Sequence, residues 1–353
     1  MREEKEISNF LGICLNCIRD NPEKSLAIAD EAHGISRSRF GLIGRVPHDK
    51  GIECKFCGNN CSIPEGGMGF CGLVRNNRGR IEREKDLLCS YYFDPLPTNC
   101  VASWFCAATG AGYPEFSFTK DTEYGYKNMA VFCVGCCFDC LFCQNWHFRS
   151  DITKDLRVGD DEFLNAIDAQ VSCICFFGGD PSPQLDKIVR ICKKAGEMRE
   201  GILRFCLETN GNSNPVLLRK FAELGLESGG TIKFDLKFWN GSLNKALTGI
   251  SNKRTLENFE MLAEFHNTRD KVPFLTASTL MIPGYIDEME IENIARFIAD
   301  IDKSIPYSLL AYYPHFEMND LAFTRREDAL RYKKIAENEG LENVRVGNIG
   351  ILR

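Results

Sequence analysis

The chain has 353 residues, 44% of them hydrophobic, which suits one large α/β domain with a smaller one beside it. Its charged N-terminus and the lack of a long apolar run predict a cytoplasmic protein with no membrane partner. The formal net charge of -6 gives no general attraction for nucleic-acid phosphates, so a nucleic-acid partner is not indicated. Eighteen cysteines in such a chain favour metal or cluster binding over disulfides, because a reducing compartment keeps thiols free.

Residues 1–50 are predicted to form a helical N-terminal element. Apolar residues recur at helical spacing across residues 21–40, directly after the start signal Asn21-Pro22. We expect this element to act as a small cap or docking unit.

Residues 51–125 lose this periodicity and are rich in Gly, Pro, Asn and Cys, which predicts a cysteine-rich metal-binding segment. Four of its cysteines follow the spacing C-x2-C-x3-C-x9-C: Cys54, Cys57, Cys61 and Cys71. Four thiolates suit a tetrahedral zinc or iron ion, or a second iron-sulfur cluster. Free thiols are the alternative, and the sequence does not identify the metal.

Residues 126–353 alternate short β-type runs with amphipathic helical runs, which predicts a parallel sheet with helices between its strands. The predicted strands are 128–135, 171–179, 203–211, 231–238, 273–284, 307–314 and 344–349. The predicted helices are 160–170, 183–198, 214–225, 255–266, 288–301 and 326–339. About six units favour an α/β fold with a partial (β/α)6-type barrel, whose active site lies at the carboxyl ends of the strands.

The first of these strands is followed by a dense cysteine motif. Cys136, Cys140 and Cys143 have the spacing C-x3-C-x2-C. Three thiolates can hold three irons of a [4Fe-4S] cluster and leave the fourth iron open to a cofactor. A zinc knuckle or a set of buried thiols is the alternative. The adjacent Cys133 and Cys137 are expected to be core thiols.

The motifs after the cysteines resemble, in order, those of the radical S-adenosylmethionine superfamily, in its pyruvate formate-lyase activating enzyme branch. "CLFCQNW" is similar to the family's Cys-x-aromatic-Cys, and "FFGGDP" at 176–181 to its Gly-Gly-Glu-Pro element. "ETNG" at 208–211 closes the third strand, and residues 234–258 resemble the activase segment that contains Asp-x-Lys. The resemblance covers residues 126–353 and implies a radical SAM core domain.

The resemblance also implies roles for residues near the cofactor. Phe142 would lie near the adenine. Other implied contacts to S-adenosylmethionine are Gly178, Gly179, Asp180, Asn210, Asp235, Lys237 and His315. Asp180 stands where the family usually has glutamate, and Lys237 is alternatively a surface salt-bridge partner. For His315 the alternative is a structural role.

The chemistry implied is reductive cleavage of S-adenosylmethionine at the cluster to a 5'-deoxyadenosyl radical, which abstracts hydrogen from a substrate. A low-potential electron donor such as ferredoxin or flavodoxin would be needed. The leading hypothesis is an activase that makes a glycyl radical in a protein or peptide partner. The alternatives are radical modification of another protein, peptide or RNA, and a non-catalytic iron-sulfur electron carrier.

Overall fold

The computed structural model of the protein describes residues 6–98 and 100–353. The helices in this part of the chain are α1 Leu15–Asp20, α2 Pro22–Ser38, α3 Phe148–Asp151, α4 Asp160–Asn165, α5 Leu185–Met198, α6 Pro215–Ser228, α7 Gly241–Thr248, α8 Lys253–Ala263, α9 Glu288–Ile301 and α10 Arg326–Asn338. The strands are β1 Ile52–Glu53, β2 Ser62–Ile63, β3 Arg75–Asn77, β4 Arg80–Glu82, β5 Leu87–Pro95, β6 Lys127–Cys133, β7 Arg157–Val158, β8 Val171–Gly178, β9 Arg204–Thr209, β10 Ile232–Asp235, β11 Leu275–Met281, β12 Tyr307–Ala311 and β13 Val344–Gly347.

The largest sheet has nine strands in the order β13-β12-β11-β10-β9-β8-β6-β5-β7. Neighbouring strands from β6 through β8 to β13 pair in parallel, and each new strand adds to the same edge. Right-handed crossovers then place the helices on one face and leave the other face as the inside of a curved sheet. In the described residues the edge strands β7 and β13 do not pair, so the barrel is open. The predicted α/β fold with a partial barrel is confirmed.

The hydrophobic core lies between the sheet and its covering helices. On β8, Ile174 and Phe176 are fully buried, and the Phe176 ring packs against Phe163 of α4 and Phe221 of α6. The alternate residues Cys173 and Cys175 point to the other face, as the two-residue period of a strand requires. None of the helices in the described chain is long and apolar enough to cross a membrane.

The predicted elements of residues 126–353 are present, with differences at their ends. The predicted helix 160–170 stops at Asn165, because Asp168 accepts a hydrogen bond from the backbone of Gln170 in a turn and pairs with Lys127. Helix α7 was not predicted. Its start is fixed by Asn240, whose side chain accepts a hydrogen bond from the backbone of Leu243.

The N-terminal part of the chain is joined to this sheet. Helix α2 begins after Asn21 as predicted, and the Asn21 side chain accepts a hydrogen bond from the backbone of Lys24. Strand β5 pairs antiparallel with β6 from Cys89↔Cys133 to Pro95↔Lys127. The cysteine-rich segment thus contributes one strand to the main sheet, and the domain boundaries near residues 50 and 125 stay predictions.

A buried charge cluster joins α2 to the loop that follows β6. Asp139 in that loop is fully buried and lies 2.8 Å from Nδ1 of His33, 2.7 Å from Nη2 of Arg149 and 3.4 Å from Nη1 of Arg37. Burial by itself raises the pKa of Asp139, but Arg149, His33 and Arg37 outweigh it and hold the pKa well below its usual range. Asp139 is therefore an ionised carboxylate that binds the loop to two helices.

Replacing this carboxylate tests whether the cluster holds the loop. Asp139→Asn keeps the side-chain shape but leaves Arg37 and Arg149 buried without their counter-charge, which should cost about 3 kcal/mol of unfolding free energy. The contribution of an aspartate with a lowered folded pKa is present above its unfolded pKa of about 3.9 and is lost as the pH falls. Urea unfolding should therefore show a larger difference between wild type and variant at pH 7 than at about pH 2.5, which lies below the unfolded pKa.

A matched control lies nearby in the sequence. Asp151 pairs with Lys154 on the surface, so Asp151→Asn should change the unfolding free energy by only about 0–1 kcal/mol. If the two variants lost the same stability, Asp139 would not be the anchor that the distances indicate.

Candidate functional site

A cavity of about 170 Å³ lies at the carboxyl end of the parallel strands. Its lining comes from the loop after β6, the ends of β8, β9 and β10, and the strands β11 and β12. It is lined by these residues that the sequence singled out: Cys136, Cys140, Phe142, Cys143, Gly178, Gly179, Asp180, Asn210, Asp235 and Lys237. Residues from six separate parts of the chain meet there because parallel strands end at one edge of the barrel.

The three spaced cysteines share this cavity. Cys136 and Cys140 are buried, and Cys143 is partly exposed. Burial raises the pKa of the Cys140 and Cys143 thiols, while Lys237 beside Cys140 and Arg149 beside Cys143 act in the opposite direction. Two cations thus stand where negative charge on the sulfurs would need to be balanced.

Cys133 and Cys137 differ from these three in position. Both are buried, and neither is among the described residues that line the cavity. The Cys137 thiol donates to Oδ1 of Asn210 at 3.3 Å, and burial raises its pKa, with the Cys57 thiol acting in the same direction. This geometry agrees with a packing role for Cys137, which stays a prediction.

The two glycines at the end of β8 dock against the cysteine loop. The backbone N–H of Gly179 donates to the carbonyl of Cys133 at 2.9 Å, and that of Asp180 donates to the carbonyl of Gly135 at 2.9 Å. A Cβ on Gly178 would come within 2.7 Å of the Cys133 nitrogen, and one on Gly179 within 2.2 Å of the Gly135 oxygen. Gly178 also has a φ of +105°, which residues with side chains rarely adopt. Both the close contact and the backbone angle therefore require glycine at this position.

Asp180 uses its carboxylate to join the ends of two strands. It accepts hydrogen bonds from the backbone of Ser182 at 2.8 Å and of Asn210 at 2.7 Å, and from the Thr209 hydroxyl at 3.2 Å. Burial raises the pKa of Asp180 against the effect of these donors. The carboxylate therefore positions the loops around the cavity, a role that the sequence did not reveal.

Asn210 stands between the cysteine loop and β9. Its Nδ2 donates to Sγ of Cys136 at 3.6 Å, while its Oδ1 accepts from the Cys137 thiol and from the backbone of Asn212. The side-chain amide thus contacts two neighbouring cysteines and places Cys136 relative to the strand ends.

Asp235 and Lys237 form an ion pair on the opposite wall. Nζ of Lys237 is 2.8 Å from Oδ2 of Asp235, and the Ser278 hydroxyl donates to Oδ1 of Asp235 at 2.9 Å. The Lys237 side chain is 15% exposed, and its Nζ lies 5.8 Å from the centre of the buried Phe142 ring. Lys237 is therefore the salt-bridge partner of Asp235, in line with the alternative prediction of a salt bridge. It lines the cavity, however, and does not lie on the outer surface.

Arg149 lines the same cavity, and the sequence analysis did not find it. Its Nε and Nη2 donate to Asp139, the side chain is fully buried, and Nη1 has no hydrogen-bond partner among the described residues. A buried donor without an acceptor is costly, so Nη1 is available for an anionic group in the cavity. Soft thiols next to two cations fit an iron-sulfur cluster and a carboxylate-bearing cofactor.

His315 and the four spaced cysteines of the cysteine-rich segment are not among the described residues that line this cavity. His315 precedes a short 3-10 helix, Phe316–Met318. Cys54, Cys57, Cys61 and Cys71 are all buried. Across residues 6–98 and 100–353, no group of three or more His, Cys, Asp or Glu side chains is already spaced to hold a metal ion. Both sets of cysteine ligands, and the role of His315, stay predictions.

Comparison with known proteins identifies the domain around this cavity. Residues 130–298 match the model of the Radical SAM superfamily. A Methanocaldococcus jannaschii protein named as a glycyl-radical enzyme activating enzyme is 28% identical over 210 residues, covering 57% of this chain and 74% of that protein. The pyruvate formate-lyase 1-activating enzyme of Escherichia coli is 26% identical over 234 residues, covering 60% of this chain and 88% of the relative.

Two further matches are more limited. The isethionate sulfite-lyase activating enzyme of Desulfovibrio desulfuricans is 34% identical over 141 residues, 38% of this chain and 40% of the relative. A solved domain of a pyruvate-formate lyase-activating enzyme from Bacteroides vulgatus aligns with a TM-score of 0.40 and 18% identity, covering 49% of this chain and 98% of that one. That score is too low to establish a shared fold.

The family match therefore agrees with the motifs that line the cavity. Radical SAM domains imply a [4Fe-4S] cluster and S-adenosylmethionine as cofactors. Residues 130–298 therefore carry a radical SAM domain, and this domain together with the similarity to activating enzymes indicates that the chain is an enzyme.

Proposed function

We propose that this enzyme is an activase that generates a glycyl radical in a partner protein. The main support for this proposal is that Cys136, Cys140 and Cys143 line one cavity together with residues at the ends of the parallel strands. Relatives named as activating enzymes, which align with 57% and 60% of the chain, support the same class of substrate.

In this proposal Cys136, Cys140 and Cys143 hold the cluster, since three thiolates leave one iron open. When bound, the cluster and S-adenosylmethionine supply a 5'-deoxyadenosyl radical that takes a hydrogen atom from the substrate. Asn210, 3.6 Å from the Cys136 sulfur, orients that ligand. We also propose that the buried Cys54, Cys57, Cys61 and Cys71 bind a second metal ion or cluster.

The remaining lining residues bind and orient the second cofactor. Gly178 and Gly179 let the end of β8 pack directly against the cysteine loop and line the cavity, where its backbone can contact the methionine amino group. Nη1 of Arg149 and Nζ of Lys237 are the cations available to a carboxylate. Phe142 offers an apolar surface to the adenine, and burial of the lining residues keeps water away from the reacting atoms.

A macromolecular substrate suits the open barrel. The edges formed by β7 and β13 leave one side unclosed, which can admit a loop of another chain. A low-potential donor such as ferredoxin or flavodoxin would deliver the electron. Radical modification of another protein, a peptide or RNA is the alternative outcome of the second experiment below.

Cys140 provides the first test. Cys140→Ala removes one thiolate from the middle of the set, so formation of 5'-deoxyadenosine from S-adenosylmethionine under dithionite should fall to background. Iron and sulfide content of the anaerobic protein should fall as well. Both are measured on the reconstituted variant and wild type side by side.

Cys137→Ala is the matched control, because Cys137 is adjacent in sequence and fully buried but does not line the cavity. It should lower thermal stability and retain most of the cleavage activity. Cleavage at the wild-type rate in the Cys140 variant, or its loss only in the Cys137 variant, would refute the ligand assignment.

The second experiment asks what the radical acts on. The reduced enzyme and S-adenosylmethionine are added to an anaerobic extract of cells that encode it, and the mixture is frozen for electron paramagnetic resonance. A stable glycyl doublet that depends on the enzyme should appear. The same extract with Cys140→Ala should give no doublet.

The same experiment also detects radical modification of a molecule other than a glycyl-radical enzyme. If no doublet forms while a mass change appears in another protein, a peptide or RNA, and only with the active enzyme, the activase proposal is wrong. Radical modification of that molecule then replaces it.

A further inference from the structure

Two cysteines at the start of α1 lie outside the sites described so far. Cys14 and Cys17 have the spacing C-x2-C, and the backbone N–H of Cys17 donates to Sγ of Cys14 at 3.4 Å. All eighteen cysteines lie in the described residues, and among them only Cys17 is exposed.

The pair is electrostatically asymmetric. Hydrogen bonds from the backbone and the thiol of Cys17 lower the pKa of Cys14, whereas the contact with Cys14 raises the pKa of Cys17. Cys14 is thus the better thiolate, and the Cys17 thiol donates to it. A thiolate with an adjacent second thiol is the arrangement that thiol–disulfide exchange requires.

The cysteine pair is accessible to other molecules, and the helix α1 that carries it is held in place by an ion pair. Cys14 lines an open cavity of about 860 Å³, through which another molecule can approach. Helix α1 is held by Arg19, which binds Asp287 at 2.5 Å and Glu290 at 3.1 Å. Glu290 in turn accepts a hydrogen bond from the backbone of Trp239.

We propose that Cys14 and Cys17 form a redox-active dithiol that exchanges with an external disulfide. The Cys14 thiolate attacks one sulfur of the external disulfide, which forms a mixed disulfide and releases one thiol. Cys17 then loses its proton and attacks Cys14, which forms the Cys14–Cys17 disulfide and releases the second thiol. Two electrons pass from the cysteine pair to the external disulfide, so that one disulfide bond forms as another breaks.

The spacing of Cys14 and Cys17 at the start of α1 is compatible with a disulfide bond between them. Residues three apart across a first helical turn have Cβ atoms about 5–6 Å apart, and a disulfide needs about 3.5–4.5 Å, so the two Cβ atoms must move closer by about 1–2 Å. Cys14 lies just outside α1 as its N-cap, so this approach can come from the chain before the helix.

Peptide mapping tests the proposal on the full-length protein. Trypsin cleavage after Lys5 and Arg19 releases residues 6–19, which contain Cys14 and Cys17 and no other cysteine. After incubation with excess glutathione disulfide and quenching with an alkylating agent, this peptide should lose two hydrogen atoms and take up no alkyl group. Addition of dithiothreitol should restore double alkylation.

Single variants separate the two roles. In Cys17→Ser the second step is blocked, so glutathione should stay attached to Cys14. In Cys14→Ser attachment to Cys17 should be slower, and the double variant should take up none on this peptide. The proposal is overturned if the wild-type peptide 6–19 stays fully alkylated in glutathione disulfide, or if Cys17→Ser carries no glutathione.

Discussion

The ionised Asp139 is the interaction on which the site geometry depends. It lies between Cys137 and Cys140, so its contacts fix the middle of the cysteine loop. Its three partners come from two helices, His33 and Arg37 from α2 and Arg149 from α3. A buried charge network is stable only when each member is matched, so the loop conformation depends on α2 and α3 being in place.

Within the same charge cluster, the Arg149 side chain both binds Asp139 and lines the cavity. Two nitrogens of the Arg149 guanidinium are used by Asp139, and the third has no hydrogen-bond partner in the part of the chain that the structure describes. On the other wall, Asp235 orients Lys237 in a comparable way. The fold thus supplies two positioned cations beside the three cysteines, each held by its own carboxylate. Such fixed charges need little reorganisation when an anionic group binds.

Much of the architecture could be predicted from the sequence because it depends on local patterns. Alternating apolar runs and helical periodicity identified the parallel strands β6 and β8–β13. Cysteine spacing and the resemblance to radical S-adenosylmethionine proteins together identified about half of the residues that line the cavity. The two-residue strand β7 and the eight-residue helix α7 were missed, since each is too short for a repeating pattern to stand out, and the nine-residue strand β5 was missed inside a segment interpreted as lacking periodicity.

Long-range pairing was the part that could not be predicted. Nothing in the sequence near residue 33 indicates that His33 meets Asp139, 106 residues later. The role of Asp180 shows the same limit. The sequence indicated a cofactor contact, whereas the carboxylate binds backbone groups of Ser182 and Asn210, and the proximity of β9 decides this. Burial and partner identity follow from packing, which a linear motif does not encode.

The central claim is that the cavity holds a cluster whose open iron binds S-adenosylmethionine. The most direct measurement is the electron paramagnetic resonance spectrum of the dithionite-reduced protein, recorded with and without S-adenosylmethionine. The account predicts a reduced [4Fe-4S] signal that changes its g-values when the cofactor is added, because the cofactor binds an iron of the cluster. A cluster signal that the cofactor leaves unchanged, or no cluster signal after reconstitution, would contradict it.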